Sequence, residues 1–288
     1  MELQQLGQFS GEFTNVKALM ALLKAIQFGS NTTCNVYDEG LTFTVQTSFK
    51  LKAVVYVKKH MFATYRKLAE TEVAPFALDL KTLVNCLAWG GAVGTNTCKF
   101  HYTGPGYQLE LLREDRTLHA TTHCWLKTLE PDTDYEGPDV NGDPGSDQRV
   151  YMRSSGLKDA FDELDPSCKE ITITLSPENP CFQLIGDGQR QNAQEDKIRY
   201  LKESDAIISL QCRQNISFTY EYEKLLQCFK TLELSDQMSL RLTPEGYLHL
   251  MFHIPDSMDK ESDKVMYVDF YRSFTDPDIQ IASSETST

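Results

Sequence analysis

Residues 16–20 read Val-Lys-Ala-Leu-Met, and a close copy of this stretch, Leu-Lys-Asp-Ala-Phe, stands at residues 157–161. A second pair keeps the spacing, because Leu-Val-Asn-Cys-Leu at residues 83–87 returns as Leu-Leu-Gln-Cys-Phe at residues 225–229. The displacements are 141 and 142 residues, whereas chance matches would scatter. A repeat of this size exceeds a solenoid unit and is long enough for its own core. The sequence therefore predicts two similar domains in tandem.

Two further repeated segments, both displaced by 140 residues, support a division into two similar domains. The turn Thr103–Tyr107 reappears as Thr243–Tyr247, and the segment from Cys34 to Val45 has a strand-turn-strand counterpart from Thr174 to Ile185. A length of 288 residues with 41% hydrophobic residues can supply two cores. We divide the chain into an N-terminal domain (1–130), an acidic interdomain connector (131–148), a C-terminal domain (149–274) and a disordered tail (275–288).

Net charge and composition exclude several classes of protein. A formal charge of -13 argues against a protein that coats nucleic acid by global attraction, because phosphate binding needs clustered Lys and Arg. No apolar run is long enough to span a bilayer, and residues 1–10 lack the layout of a secretory signal, so we expect a protein inside the cell. The eight cysteines form no Cys-x-x-Cys pair, which favours reduced core thiols.

Periodicity predicts four helices between antiparallel strands. The helices are expected at Asn15–Gln27 with Asn15 as N-cap, Asp79–Ala88, Ser155–Leu164 and about Thr219–Leu232. Alternating apolar and polar residues predict the strands between them. Each half then reads strand, helix, meander, helix, meander, which is typical of α+β domains with helices on one face of antiparallel sheets.

Motifs for catalysis or metal binding are absent from the sequence. His119 and His123 have a spacing that binds zinc on a helix, but their surroundings favour a strand, where they would lie about 13 Å apart. His249 and His253 fail for the same reason. The chain also lacks a Gly-x-x-x-x-Gly-Lys-Ser/Thr phosphate loop and a Gly-x-Ser-x-Gly elbow. We expect no bound metal and no cofactor.

Basic residues on the exposed helix faces remain as candidates for function. They are Lys17, Lys24, Lys81, Arg153, Lys158, Lys224 and Lys230. Any one lysine is ordinary on a solvated helix face, but Lys17 recurs as Lys158 across the repeat. Sparse lysines suit contacts to phosphates that carry no sequence information.

Several stretches carry a resemblance to a known family. The most specific are Asn15–Lys17 with Leu23–Phe28, Leu83–Leu87, Ser155–Asp165 and Tyr200–Asp205. They resemble the sliding DNA clamps, and among these the Rad-one subunits of the checkpoint clamp called nine-one-one. The resemblance runs from about Phe13 to Phe274, nearly the whole chain.

The resemblance implies a heterotrimeric ring, with helices around a central hole and sheets outside. Double-stranded DNA would pass through the lumen and contact the seven basic residues named above. The expected partners are two other clamp-like subunits, a clamp loader that hydrolyses ATP, and checkpoint activators and repair enzymes in the nucleus. The connector would run across the outer face, near a groove where partner peptides dock.

Ring closure would use edge strands around Thr117–Trp125 in one domain and Lys197–Glu203 in the other, by strand addition. The residues expected there are Thr117, His119, Thr121, His123, Lys197, Arg199 and Leu201. Acidic Asp159, Asp162 and Glu163 depart from a uniformly basic lumen. Two alternatives stay open: a 3'-5' exonuclease, which would need converging acids for metal ions, and a homotrimeric replication clamp of the proliferating cell nuclear antigen type.

Overall fold

The computed structural model describes residues 7–47, 51–68, 72–88, 97–115, 119–131, 148–188, 196–255 and 265–272. Within these ranges the chain forms eighteen strands and four α-helices, and every strand pairing is antiparallel. The predicted α+β class and the clamp-like pattern of two helices and antiparallel sheets in each half are confirmed. Residues 132–147 of the predicted connector and the tail at 275–288 lie outside the described residues.

The first half contains β1 (Phe9–Phe13), α1 (Val16–Ala25), β2 (Asn31–Tyr37), β3 (Gly40–Thr47), β4 (Leu51–Lys58), β5 (Phe62–Lys67), β6 (Phe76–Asp79), α2 (Leu80–Ala88), β7 (Cys98–Tyr102), β8 (Leu109–Asp115) and β9 (Ala120–Leu126). The second half contains β10 (Gln148–Arg153), α3 (Ser154–Glu163), β11 (Glu170–Leu175), β12 (Phe182–Gly186), β13 (Asp196–Tyr200), β14 (Ile207–Gln211), β15 (Ile216–Glu221), α4 (Tyr222–Phe229), β16 (Gln237–Leu242), β17 (Leu248–Pro255) and β18 (Val265–Arg272). A 3-10 helix, Lys230–Leu234, follows α4.

Side-chain caps fix where the first two helices begin. The Asn15 Oδ1 atom accepts the Ala18 N–H at 3.1 Å, so Asn15 is the N-cap of α1 as predicted. The Asp79 carboxylate accepts the Thr82 N–H at 2.6 Å, and hydrogen bonds from the side chain and then the backbone of Thr82 lower the pKa of Asp79. Both caps satisfy helix N–H groups that have no partner within the helix.

The predicted start of α4, at about Thr219, is wrong, because the helix begins only after strand β15. Thr219–Glu221 belong to β15, which pairs with β11 and places Tyr220 opposite Ile171. The Thr219 hydroxyl bonds to the hydroxyl of Thr172 at 2.8 Å, and Tyr220 is fully buried. Alternating β-branched and aromatic residues here favour a strand, so α4 begins only at Tyr222.

The strands form three sheets that share one plan in the two halves. Their orders are β5-β1-β7-β8-β9, then β14-β10-β16-β17-β18-β4-β3-β2-β6, and finally β13-β12-β11-β15. Each half supplies one group of five strands and one group of four. The five-stranded group of the second half joins the four-stranded group of the first half through β18 and β4, which makes the nine-stranded sheet continuous across both halves.

Strand pairing also corrects the register of one repeat. Cys34 is buried opposite Phe43, and the equivalent buried pair in the second half is Ile173 opposite Leu184. The displacements are therefore 139 and 141 residues on these two strands, not the uniform 140 predicted from sequence. The difference matters because a slip of one residue moves every side chain to the other face of a sheet.

The helices lie together in one layer over the sheets. Helix α1 packs against α2 and against the 3-10 helix Lys230–Leu234 of the other half, and α3 packs against the same 3-10 helix. Three aromatic rings reinforce the boundary between the halves. Phe270 of β18 lies 6.3 Å from Phe28, just after α1, and 5.7 Å from Phe252 of β17, measured between ring centroids. One core therefore runs from the first half into the second.

The tight turn from β2 into β3 depends on Gly40. Its φ is +143°, and an added Cβ would collide with the backbone carbonyl oxygen of Val57. We expect Gly40→Ala to lower the free energy of unfolding by about 3 kcal/mol, measured by chemical denaturation. Gly106→Ala is the matched control, since Gly106 has φ +83° and open space around it, and we expect a loss of only about 1 kcal/mol. Equal losses would contradict the steric argument.

Candidate functional site

The exposed face of the helix layer holds six of the seven predicted DNA-facing residues. In the first half, Lys17 and Lys24 on α1 and Lys81 on α2 are exposed, and neither helix contains an acid. The nearest acid along these helices is Asp79, whose carboxylate caps α2. The first half therefore presents an uninterrupted set of cations.

The second half of the helix layer has the opposite character. Its two α-helices and the 3-10 helix carry three lysines against five exposed acids, a formal charge of -2. The acids are Asp159, Asp162, Glu163, Glu223 and Glu233. Lys158 donates a hydrogen bond to the Asp162 carboxylate at 2.7 Å, and that bond raises the pKa of Lys158. The repeated pair Lys17 and Lys158 thus has different surroundings in the two halves.

The other three basic candidates vary in exposure. Arg153 ends β10 and is exposed, and its Nε–H donates to the backbone oxygen of Asp205 at 3.0 Å. Lys224 on α4 is half-buried, whereas Lys230 at the start of the 3-10 helix is exposed. These residues lie in the acidic half, so their charges are partly offset by neighbours.

A groove of about 440 Å³ separates α3 from α4 on this surface. Its floor is aromatic, with Phe161 lying 4.0 Å from Phe229 between ring centroids, and Leu226 is 40% exposed beside it. Lys158, Asp162, Lys230 and Glu233 line the rim. This apolar and mixed-charge lining differs from a basic surface for phosphates.

Strand β9 is the edge of the five-stranded sheet and holds the first set of predicted interface residues. Thr121 and His123 are exposed on it, and the His123 ring meets the Trp125 ring edge-on at 5.1 Å. His119 precedes the strand with φ +49°, and Thr117 lies outside the described residues. The structure thus brings Thr121 and His123 to a sheet edge, while their role at an interface stays a prediction.

Strand β13 is the edge of the four-stranded sheet and holds the second set. Lys197 and Arg199 are exposed on the face away from the helices, and Tyr200 points inward, where its hydroxyl donates to the Gly156 oxygen at 2.6 Å. Leu201 lies just beyond the strand and is 51% exposed. The role of Lys197, Arg199 and Leu201 at an interface also stays a prediction.

The face of the nine-stranded sheet opposite the helices holds a groove whose lining residues the sequence did not indicate. Its volume is about 810 Å³, and it is lined mainly by β2, β3 and β4, with Met251 from β17. Tyr37, Lys52, Val54 and Tyr56 are among the lining residues. Lys52, Val54 and Tyr56 alternate along β4 with Ala53 and Val55, which face the core.

Titratable clusters add little chemistry to these surfaces. In the described ranges no group of three His, Cys, Asp or Glu converges as metal ligands. His123 lies within β9, and His119 lies just before the first residue of that strand. All eight cysteines are free thiols, and five are buried. Burial and a contact with the Cys124 thiol raise the pKa of Cys86 to about 11. The Cys86 thiol is therefore protonated near neutral pH.

Across the described ranges, no helix has the length and apolar character required to cross a membrane. The longest α-helices have ten residues, which is about half the length needed.

Comparison with known proteins gives one family and several relatives. Residues 8–254 match the family described as Repair protein Rad1/Rec1/Rad17. The chain is 30% identical over 280 residues to the Cell cycle checkpoint protein RAD1 of Homo sapiens, covering 94% of the chain and 92% of that protein. It is 24% identical over 269 residues to the DNA damage checkpoint control protein rad1 of Schizosaccharomyces pombe, covering 84% and 80%. It is 21% identical over 273 residues to the DNA repair protein Rad1 of Drosophila melanogaster, covering 92% and 93%.

Proposed function

The chain belongs to the Rad1/Rec1/Rad17 family of repair proteins, and from this membership we propose that it is one subunit of a heterotrimeric sliding clamp that encircles duplex DNA at sites of damage. The membership confirms the resemblance carried by residues 155–165 and the other stretches. The relatives are named for cell cycle checkpoint control and DNA repair. We extend that role to this chain as a platform for checkpoint and repair proteins in the nucleus.

The pairing of β18 with β4, which joins the two halves, is the observation that best supports assembly into a ring. By position in the sheets, β9 of the first half is the counterpart of β18, and β13 of the second half is the counterpart of β4. Within the chain, β18 and β4 pair and join the two halves. Their counterparts, β9 and β13, are edge strands at the two ends of the chain's sheets. Repeating that joint between subunits, β9 to β13, would extend the arrangement head to tail, and such contacts form a ring when the rotation closes.

Retention of DNA in a ring needs little attraction, and this accounts for the charge of the chain. A closed ring holds DNA by topology, so a few lumen lysines suffice while the net charge stays at -13. The single helix layer supports this assignment, since one surface presents Lys17, Lys24 and Lys81 together. Phosphate contacts of this kind position a duplex without reading its sequence.

Partners on the outside would use the groove of about 810 Å³ on the nine-stranded sheet, which faces away from the proposed lumen. Its lining includes Tyr37, Val54 and Tyr56 together with Lys52 and Lys58, a mixture suited to an apolar anchor with nearby acids. Ring opening would be the task of a separate ATP-hydrolysing loader. We assign no catalytic step to this chain.

Loading onto circular DNA tests the proposal. The full chain is co-expressed with the two other clamp-like subunits of its organism, and the complex is mixed with a clamp loader, ATP and nicked circular DNA. We expect a 1:1:1 complex that stays on the circle through a high-salt wash and slides off when the circle is cut. A stable trimer of this chain alone would favour the homotrimeric clamp. DNA binding that survives cutting would refute topological retention.

A further inference from the structure

We propose that Cys86 and Cys124 are a redox modification site, at which a peroxide oxidises the two thiols to a disulfide that ties the edge strand β9 to helix α2. The bond lies within one chain, so it forms whether or not subunits assemble. The site is separate from the exposed lysines of the helix layer and from the groove on the outer face of the nine-stranded sheet.

Helix α2 packs against β9 and brings the two cysteines together. On β9, Cys124 is half-buried between exposed His123 and Trp125, so its side chain points toward the helices. On α2, Cys86 is half-buried and lies three residues after buried Leu83, at the margin of the face that packs on the sheet. The thiols of Cys86 and Cys124 hydrogen-bond to each other. A thiol pair in contact needs little backbone movement to become a disulfide.

Arg113 fixes the end of α2 over these strands. Its Nη1 atom donates to the backbone oxygen of Leu87 at 2.7 Å, and Leu87 is the buried residue that follows Cys86. Arg113 lies on β8 opposite Thr122 of β9, two residues before Cys124. One side chain therefore holds the last turn of the helix at a set position relative to both strands, and Cys86 stays beside Cys124.

A third thiol, Cys98, lies near the pair but is poorly placed to replace either member. Cys98 is on β7, is 1% exposed, and donates a weak hydrogen bond to the Lys99 oxygen at 3.8 Å. Strand β8 separates β7 from β9, so their backbones lie about 9–10 Å apart. The two Cα atoms of a disulfide are usually no more than about 7 Å apart, which excludes a bond from Cys98 to Cys124 without movement of the sheet.

The chemistry needs a peroxide as the oxidant. The thiolate of one cysteine attacks a peroxide oxygen, the O–O bond breaks, and a sulfenic acid and water form. The second thiolate attacks the sulfenic sulfur, the S–S bond forms, the S–O bond breaks, and a second water leaves with the remaining proton. Burial raises the pKa of Cys86 to about 11, so little of its thiolate exists at neutral pH and the crosslink forms slowly.

The crosslink should restrict the opening of β9. This strand is bonded to β8 on one side and forms the edge of the sheet on the other. Edge elements open locally more readily than central strands, and a covalent tie to α2 limits that motion. We expect the backbone amides of β9 to exchange with solvent deuterium at least about tenfold more slowly in the oxidised chain.

Oxidation of the full chain under native conditions tests the site. The chain is treated with excess hydrogen peroxide, the remaining thiols are blocked with a maleimide after unfolding, and its peptides are analysed by mass spectrometry. All eight cysteines start as free thiols, and we expect the main product to be a disulfide between Cys86 and Cys124 that dithiothreitol reverses. A dominant bond between other cysteines, a crosslink between chains on a non-reducing gel, or a folded chain that keeps both thiols unlinked would overturn the inference.

Single variants identify the partners. In Cys86→Ser or Cys124→Ser, the remaining thiol has lost its neighbour, and we expect it to stop at a sulfenic acid that dimedone labels, without slower exchange in β9. Cys98→Ala and Cys212→Ala are the controls, and we expect both to form the disulfide as the wild type does. Cys212 is also half-buried, but its thiol donates to the Gln214 oxygen at 3.2 Å. A folded Cys98→Ala variant that no longer forms the crosslink, or an oxidised wild type with unchanged exchange in β9, would contradict the proposal.

Discussion

Replacing Lys17, Lys24 and Lys81 together by glutamine is expected to weaken binding of the assembled ring to short linear duplex DNA by roughly a hundredfold near 0.1 M salt. These lysines are exposed on α1 and α2, which contain no acid. Three lost phosphate contacts should also reduce the slope of log affinity against log salt concentration by about three. Fluorescence anisotropy over a salt series measures both quantities, and short linear DNA removes the contribution of topology.

The matched control removes the same number of charges from the second half of the helix layer. In Lys158→Gln/Lys224→Gln/Lys230→Gln, we expect a loss below about tenfold. Lys158 is already bonded to Asp162, Lys224 is half-buried, and five exposed acids share their surface. Equal losses from the two triple variants would contradict the uneven division of DNA contacts between the halves. Sedimentation of both rings checks that assembly is unchanged.

Phe270→Ala is expected to have the largest effect on stability. The Phe270 ring is 1% exposed and contacts Phe28 and Phe252, so it packs the joint between the halves. Deleting a buried phenylalanine costs about 3–5 kcal/mol of the free energy of unfolding, because a cavity remains. Chemical denaturation followed by circular dichroism measures that loss. Phe270→Leu is the control, with an expected cost below about 1.5 kcal/mol.

The same variant tests whether the halves unfold together. Both tryptophans of the chain, Trp89 and Trp125, belong to the first half, so their fluorescence reports on that half, whereas circular dichroism reports on both. With the joint weakened, we expect the two probes to give separate transitions in Phe270→Ala and a single transition in the wild type. Coincident transitions in the variant would mean that the halves still unfold together, which would contradict the role of Phe270 in coupling them.

Local signals predicted the helices well, and long-range pairing explains the errors. Asn15 and Asp79 are short polar side chains before apolar periodic runs, and both cap helices in the structure. The start of α4 was misplaced because Tyr220 fits either pattern until β11 is known to lie beside it. The register of the repeated hairpin was off by one because its two turns differ in length, which a similarity search by offset does not detect.

The candidate site was partly readable from sequence. The spacing of Lys158 and Asp162 is four residues, which is enough to predict their ion pair on a helix. The absence of acids from α1 and α2 could also have been read directly from the sequence. The residues that line the outer groove and the joint of β18 with β4 could not, because both depend on which strands, far apart in the chain, become neighbours in the nine-stranded sheet.

The continuous nine-stranded sheet has a mechanical consequence for the proposed ring. Six domains arranged in a circle have six contacts between neighbours. In every chain one of these contacts forms when the chain folds, since β18 and β4 belong to the same polypeptide. A loader that opens the ring would therefore have only three contacts to separate, each between two different chains. Each subunit would then move as a rigid segment, and the width of the opening would depend on how far two such segments swing apart.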